Sequence, residues 1–512
     1  MAGRAAVIPL PPGEAEPAAL AAPSVLARPP AEVIILHRAG FGPRPGDVER
    51  VRAMGVAAYI EEQLYPERID DSACEARIAE LAPQYQHLSI PALWARRTLP
   101  NPADTWKPRE EARTLAWLRA IYSRRQLYEL LVDYWHNHFN VYSAAYPIYL
   151  FWPDHDRRIR RNVFGNFRAF LEEMATSPAM LYYLDNASNQ AAGPNENFAR
   201  ELLELHTLGA AAYRPGRGPS TPDVFTDADV REVARCFTGW TLRNRSWDPA
   251  FGDTGEFFYY APWHDTGAKT VLGTTLPANQ PPLKDGRDVL DLLARHPATA
   301  RNIATRLARR LIADTPSASL VDAGARAYLD HLIAPDQLRH VVRALLTHPD
   351  ATTVWGEKIR RPFEAMVAFL RAIEAEWRWT GEFGWYISRV GQPLWEWPAP
   401  NGYPDERTAW LGSTQLTARW SVFNALAENF VAGTTTTLPA RHPARLTTPR
   451  DVARYWVERL LGYLPPEAEW WPLVRFVARG RHPDVPLSPE TVEARVNSLA
   501  ALVFHLPAAQ LR

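Results

Sequence analysis

The chain has 512 residues, 46% hydrophobic and 22% charged, with 57 basic residues balancing 57 acidic ones for a formal net charge of zero. That length exceeds one ordinary hydrophobic core, so one large domain or two closely packed ones are expected. Zero net charge excludes a general nucleic-acid or anionic-membrane binder, and no apolar window approaches the ~18 residues of a membrane span.

Residues 1–30 are rich in Ala and Pro, but Pro9, Pro11, Pro12, Glu14 and Glu16 interrupt any signal-peptide core. The segment reads as a disordered lead-in and the chain as cytoplasmic. Residues 31–512 read as a single large helical domain. An apolar run over 31–37 breaks sharply at Arg38-Ala39-Gly40-Phe41-Gly42-Pro43. Val48, Val51, Val56, Tyr59, Ile60 and Leu64 recur at helical spacing and predict a helix over 45–65. The longest helical window is 110–140, with Leu115, Leu118, Ile121, Leu127, Leu130, Leu131 and Tyr134 on its buried side. Further helices are predicted over 162–176 and 178–184, with Pro178 suited to a first turn.

Residues 195–209 predict one amphipathic helix. Asn197, Glu201, Glu204 and Leu208 share a face, Phe198, Leu202 and Leu205 form an apolar stripe, and Gly209 sits at the C-terminus. A Pro/Gly loop covers 213–224. Thr226 then looks like an N-cap, with Asp229 completing a capping box before a helix that stops at Gly239. Strand-like runs over 256–260 and 269–272 predict a small β-hairpin near 256–273 whose tip carries His264 and Asp265. Helices resume over 286–311, 319–332, 336–347 and 362–377, and a Trp/Pro/Gly-rich stretch near 391–404 is irregular. Helices over 410–428, 449–461 and 488–506 close the chain. The expected class is mainly α: a large multi-helix globular domain with a small β-hairpin insertion.

Glu201 and Glu204, one turn apart, can share a cation or a proton, and repel each other unless a positive group such as Arg200 lies between them. Glu129 and His136, seven apart, share a face of the long helix with Asp133 between them. Carboxylate and histidine helices of this kind hold paired metals in ferritin-like bundles, although the Glu-x-x-His spacing of those bundles occurs at neither helix. Glu129, His136, Glu201 and Glu204 are therefore the candidate ligands of a divalent metal ion. His136 and His138 cannot face one ion on a regular helix but could if the helix ended by Trp135. His138 continues an apolar line and reads as a hydrogen-bonded core residue. His264 and Asp265 join Glu201 and Glu204 as candidate catalytic groups, with Lys269 placed to hold an oxyanion; the bland alternative has Asp265 capping the turn and His264 packed on Trp263. His206 reads as a charge at a helix C-terminus. Cys74 and Cys236 match no metal or redox spacing and read as small buried apolar residues. Nineteen tryptophans fill a core or, as the other reading, line a sugar-binding groove. No nucleophile elbow, P-loop, dinucleotide fingerprint or zincin pattern is present.

Several of these motifs carry a resemblance: Arg38 to Pro43, Trp135-His136-Asn137-His138-Phe139, the 195–209 segment, Thr238-Gly239-Trp240 and His264-Asp265 with Lys269 and Gly273. Lys358-Ile359-Arg360-Arg361-Pro362, Gly391-Gln392 and Asn401-Gly402-Tyr403-Pro404 complete the set. In this order they resemble the bacterial domain-of-unknown-function family numbered 1800 over nearly the whole chain. The resemblance implies a mostly helical fold with no settled activity. It also implies a sulfatase-like protein of the family numbered 1501 as neighbour and partner, and export for many members. This chain departs from the pattern in lacking an export signal and in carrying Tyr403 where the family's turn has Trp.

Two functions follow from different classes. One is a metal-dependent enzyme with a carboxylate/His centre. The other is a non-catalytic helical scaffold that binds a sulfatase-like partner or an envelope polysaccharide. An enzyme needs Glu201, Glu204 and a histidine converging on a cleft. A scaffold would satisfy its buried carboxylates with arginines.

Overall fold

The computed structural model describes residues 27–216 and 224–512; the lead-in over 1–26 and the middle of the Pro/Gly loop lie outside the described residues. Among the described residues are 24 α-helices and three two-stranded antiparallel sheets, a mainly α architecture. One buried apolar cluster draws on residues from Val33 to Ala509. Trp117, Trp135, Trp152, Trp240 and Trp456 are among its largest members, so these rings fill the core rather than line a groove.

Several expectations change in detail; the helix predicted over 286–311, for one, divides at His296 before Pro297 into Lys284–Arg295 and Pro297–Leu311. The 110–140 window is two helices, Lys107–Tyr122 and Gln126–His138. Asp71 pins the break between them by accepting from Ser123 Oγ at 2.7 Å and from the Arg124 N–H at 2.7 Å. The 45–65 helix divides at Gly55, whose φ of +86° suits only glycine, into Asp47–Met54 and Val56–Leu64. The strand-like runs exist but do not pair with each other. Phe257–Tyr259 pairs with Trp240–Leu242, and Lys269–Val271 pairs with Thr274–Leu276, so His264 and Asp265 lie in the connection between two hairpins.

A further change concerns the 195–209 helix, which begins as an α-helix over Asn197–Glu201 and widens into a π-turn over Leu202–His206. The extra residue per turn rotates the faces that follow. Leu203 and His206 become buried while Leu205 stays partly exposed, the reverse of the α-helical stripe. The Thr226 cap is as expected: a capping box with Asp229 opens the helix Asp227–Cys236.

Candidate functional site

The helix Gln126–His138 presents almost every polar side chain to a different partner. Glu129 accepts two bonds of 3.0 Å from Arg160, which donates through Nε to Asp156 at 2.8 Å. Asp156 in turn meets His136 Nε2 at 2.9 Å. Burial opposes ionisation of Asp156, but Arg160 and then His136 outweigh it and hold the carboxyl well below the usual range. Asp133 is bonded by Arg310 and Arg361. Asn137 donates to Tyr403 O and accepts from Tyr403 N–H, both at 2.7 Å, and Asn140 donates to the carbonyls of Trp397 and Ala399. The Trp/Pro/Gly-rich loop is thus clamped onto this helix.

His136 stacks on Trp152, and its Nδ1 is buried without a hydrogen-bond partner among the described residues. Asp133, His136, Asn137, Asn140, Gln392, Trp395 and Tyr403 are among the residues that enclose a cavity of about 10 Å³. That is room for one water. The helix stays regular through His138, so His136 and His138 point to different neighbours: Asp156 and the carbonyl of His206, 3.2 Å away.

The π-turn closes with three side chains on its free carbonyls. Arg306 donates to Leu205 O at 3.0 Å, His138 to His206 O, and Asn302 to Thr207 O at 2.7 Å. His206 is buried, which together with Arg306 lowers its pKa to about 3, so it is neutral rather than the terminal charge its position suggests. Upstream, Glu201 and Glu204 are half-buried and have no hydrogen-bond or ion-pair partner among the described residues. Arg200 turns away to Asp227 at 3.3 Å and Glu196 at 3.5 Å. Burial and the Glu204 charge raise the Glu201 pKa, with Arg200 opposing. Tyr183 lies within reach of the Glu201 charge: burial and then Glu201 push its phenol up to about 12, and its hydroxyl donates to Pro398 O at 2.9 Å.

His264 and Asp265 are not at an open tip. The His264 side chain is 6% exposed, with Nε2 3.1 Å from Asp285 and Nδ1 2.9 Å from Thr238 O. Asp265 is held by Arg235 through bonds of 2.7 and 3.1 Å. Lys269 donates to Asp285 at 2.6 Å and to the carbonyls of Asp265 and Gly267, leaving it none to spare for an oxyanion. Asp285 is pulled down to about 2 against its burial, first by His264 and then by Lys269. Both cysteines are free and buried.

The structure therefore brings Glu129 and His136 into one network and leaves Glu201 and Glu204 beside each other in another place. No hydrogen bond or ion pair joins those sets, or either of them to His264 and Asp265, among the described residues. Nor are three His, Cys, Asp or Glu residues among them grouped to hold a metal ion. Sequence reading missed Asp156, Arg160 and Asp285. The first two left a signal: Asp154/Arg158 and Asp156/Arg160 are acid–arginine pairs four apart, after an apolar run, in the helix Ile148–Asn162.

A family model described as "Protein of unknown function (DUF1800)" matches residues 34–511, and the chain belongs to that family. No curated protein and no solved structure matches it.

Proposed function

We propose that this DUF1800 protein is a helical binding scaffold whose recognition face is the Glu201–Glu204 pair beside Tyr183, completed by a cationic group of its partner. One contrast carries the reading. Glu129, Asp133 and Asp265 are each neutralised by arginine, whereas Glu201 and Glu204 are left without a partner among the described residues. Two half-buried carboxylates in mutual repulsion cost folding free energy, and an incoming cation would offset it.

A centre for a divalent ion is less well supported. Arg160 occupies Glu129, Asp156 occupies His136, and the cavity beside His136 takes one water, where a substrate pocket is ~300 Å³ or more. The partner that fits the resemblance is a sulfatase-like protein of the family numbered 1501, engaging through a lysine or arginine.

The test is a calorimetric titration with that sulfatase-like neighbour, using wild type and the double variant Glu201→Gln, Glu204→Gln. Binding weakened about tenfold or more, with melting unchanged or raised, is expected. Equal affinity for wild type and variant would overturn the reading. So would tight binding of a neutral polysaccharide that ignores both substitutions.

A further inference from the structure

A second cavity, of about 50 Å³, lies beside the turn at Gly42, and Arg44, Arg50, Arg124, Arg371, Tyr59 and Asp47 are among its lining residues. We propose that it is a binding site for a tetrahedral oxyanion, a phosphate or sulfate group. It does not depend on the recognition face at Glu201 and Glu204.

Charge is the first argument. Four arginines and one acidic residue, Asp47, are among the residues that line the cavity. Arg50 is neutralised outside it by Glu62, and Arg124 reaches only Asp70 O, at 3.4 Å. Arg371 is 4% exposed, and only its Nη1 is well satisfied, by Ile121 O at 2.9 Å. Its Nε lies 3.4 Å from Gly42 O, and its Nη2 lies 3.5 Å from Asp47 Oδ2. That Asp47 oxygen is already taken by the Arg44 N–H at 2.8 Å. A buried cation so loosely paired is costly.

Unused donors are the second argument. The Arg44 guanidinium and the hydroxyl of Tyr59, a residue 3% exposed, have no hydrogen-bond partner among the described residues. Guanidinium forks match the oxygen spacing of phosphate and sulfate, and a phenol adds a neutral donor.

Size is the third. One water needs roughly 10–15 Å³ on the same measure, so the cavity holds roughly four oxygen-sized centres. A single tetrahedral oxyanion has four.

The test is titration calorimetry of the whole protein with inorganic phosphate, in chloride buffer at constant ionic strength, on wild type, Arg44→Gln and Tyr59→Phe. Neither substituted group has a structural partner, so both variants should fold, with melting in chloride as a control. Stoichiometric binding to wild type, weakened about tenfold in Arg44→Gln and severalfold in Tyr59→Phe, is expected. Sulfate stabilises folds generally by exclusion, so its readout is the wild-type-minus-variant difference. Glycerol phosphate separates the sources: binding shows that the cavity takes the group on a larger molecule, and exclusion shows that it takes the free ion, and both support the site. Absence of phosphate binding to a folded wild type, equal affinity in Arg44→Gln, or acetate binding as tightly as phosphate would overturn the proposal.

Discussion

The Nε2 of His138 lies 3.2 Å from the backbone oxygen of His206, joining the Trp135–Phe139 motif to the π-turn that follows Glu201. The ring donates, so its proton sits on Nε2, and burial keeps it neutral by lowering its pKa well below the ordinary value, with Arg306 and His206 adding to that. Together with Arg306 and Asn302 it holds the turn's end in place, and so fixes where Glu201 and Glu204 stand. His138→Phe keeps the ring but leaves the His206 oxygen unsatisfied. A loss of about 1–3 kcal/mol in urea unfolding is expected.

Acid should destabilise the protein early. His37, His138, His155 and His206 are buried and their pKa values lie below the ordinary histidine value, primarily because of burial, with His206 at about 3. The unfolded chain takes up protons near pH 6.5 and the folded one does not. The stability each neutral ring contributes is therefore present above that pH and lost as pH falls, at up to about 1.4 kcal/mol per unit for each group. Thermal melts from pH 7.5 to 4.5 should show a steep fall beginning near 6.5, and a flat profile down to pH 5 would contradict it.

Arg160→Ala strands Glu129 and Asp156 in the interior without their shared cation. A loss of about 3–5 kcal/mol is expected, measured by chemical unfolding.

Glu201→Gln should behave in the opposite way. Glu201 has no hydrogen-bond or ion-pair partner among the described residues for the substitution to strand. The folded-state pKa is raised, so the ionised group costs stability at neutral pH and that cost fades in acid. Glu201→Gln should leave stability unchanged or raise it by about 0.2–0.5 kcal/mol at pH 7.

Gly402→Ala places a Cβ against the backbone oxygen of Asn137 at a φ of +73°. The clamp between Asn137 and Tyr403 must open, at about 2 kcal/mol or more. A melting shift in Gly402→Ala matched by Asn137→Ala would tie both to the same clamp.

Helical class and many of the helices were legible because apolar residues recur at helical spacing, though Ile148–Asn162 and Glu467–Ala478 were not read, and the Thr226–Asp229 box was legible because both residues sit within one turn. The break at Ser123 was not, since Asp71, which pins it, lies about fifty residues away. The π-turn was hidden as well: Leu202 to His206 suits an α-helix, and beside the local bond from Thr207 Oγ1 to Leu202 O at 2.6 Å its end is held by Arg306, Asn302 and His138 from other helices. Of the candidate site, the polar residues were found and their partners were not. A carboxylate's sequence neighbours do not say whether a distant arginine covers it, as Arg160 covers Glu129, or none does, as at Glu201.

Metal content by elemental analysis, on wild type and Glu201→Gln purified without chelator, separates the recognition role from a metal centre most directly. No stoichiometric iron, manganese or zinc that depends on Glu201 is expected, even after titration with each metal. A stoichiometric metal in wild type that disappears in Glu201→Gln would contradict it and make the carboxylates ligands.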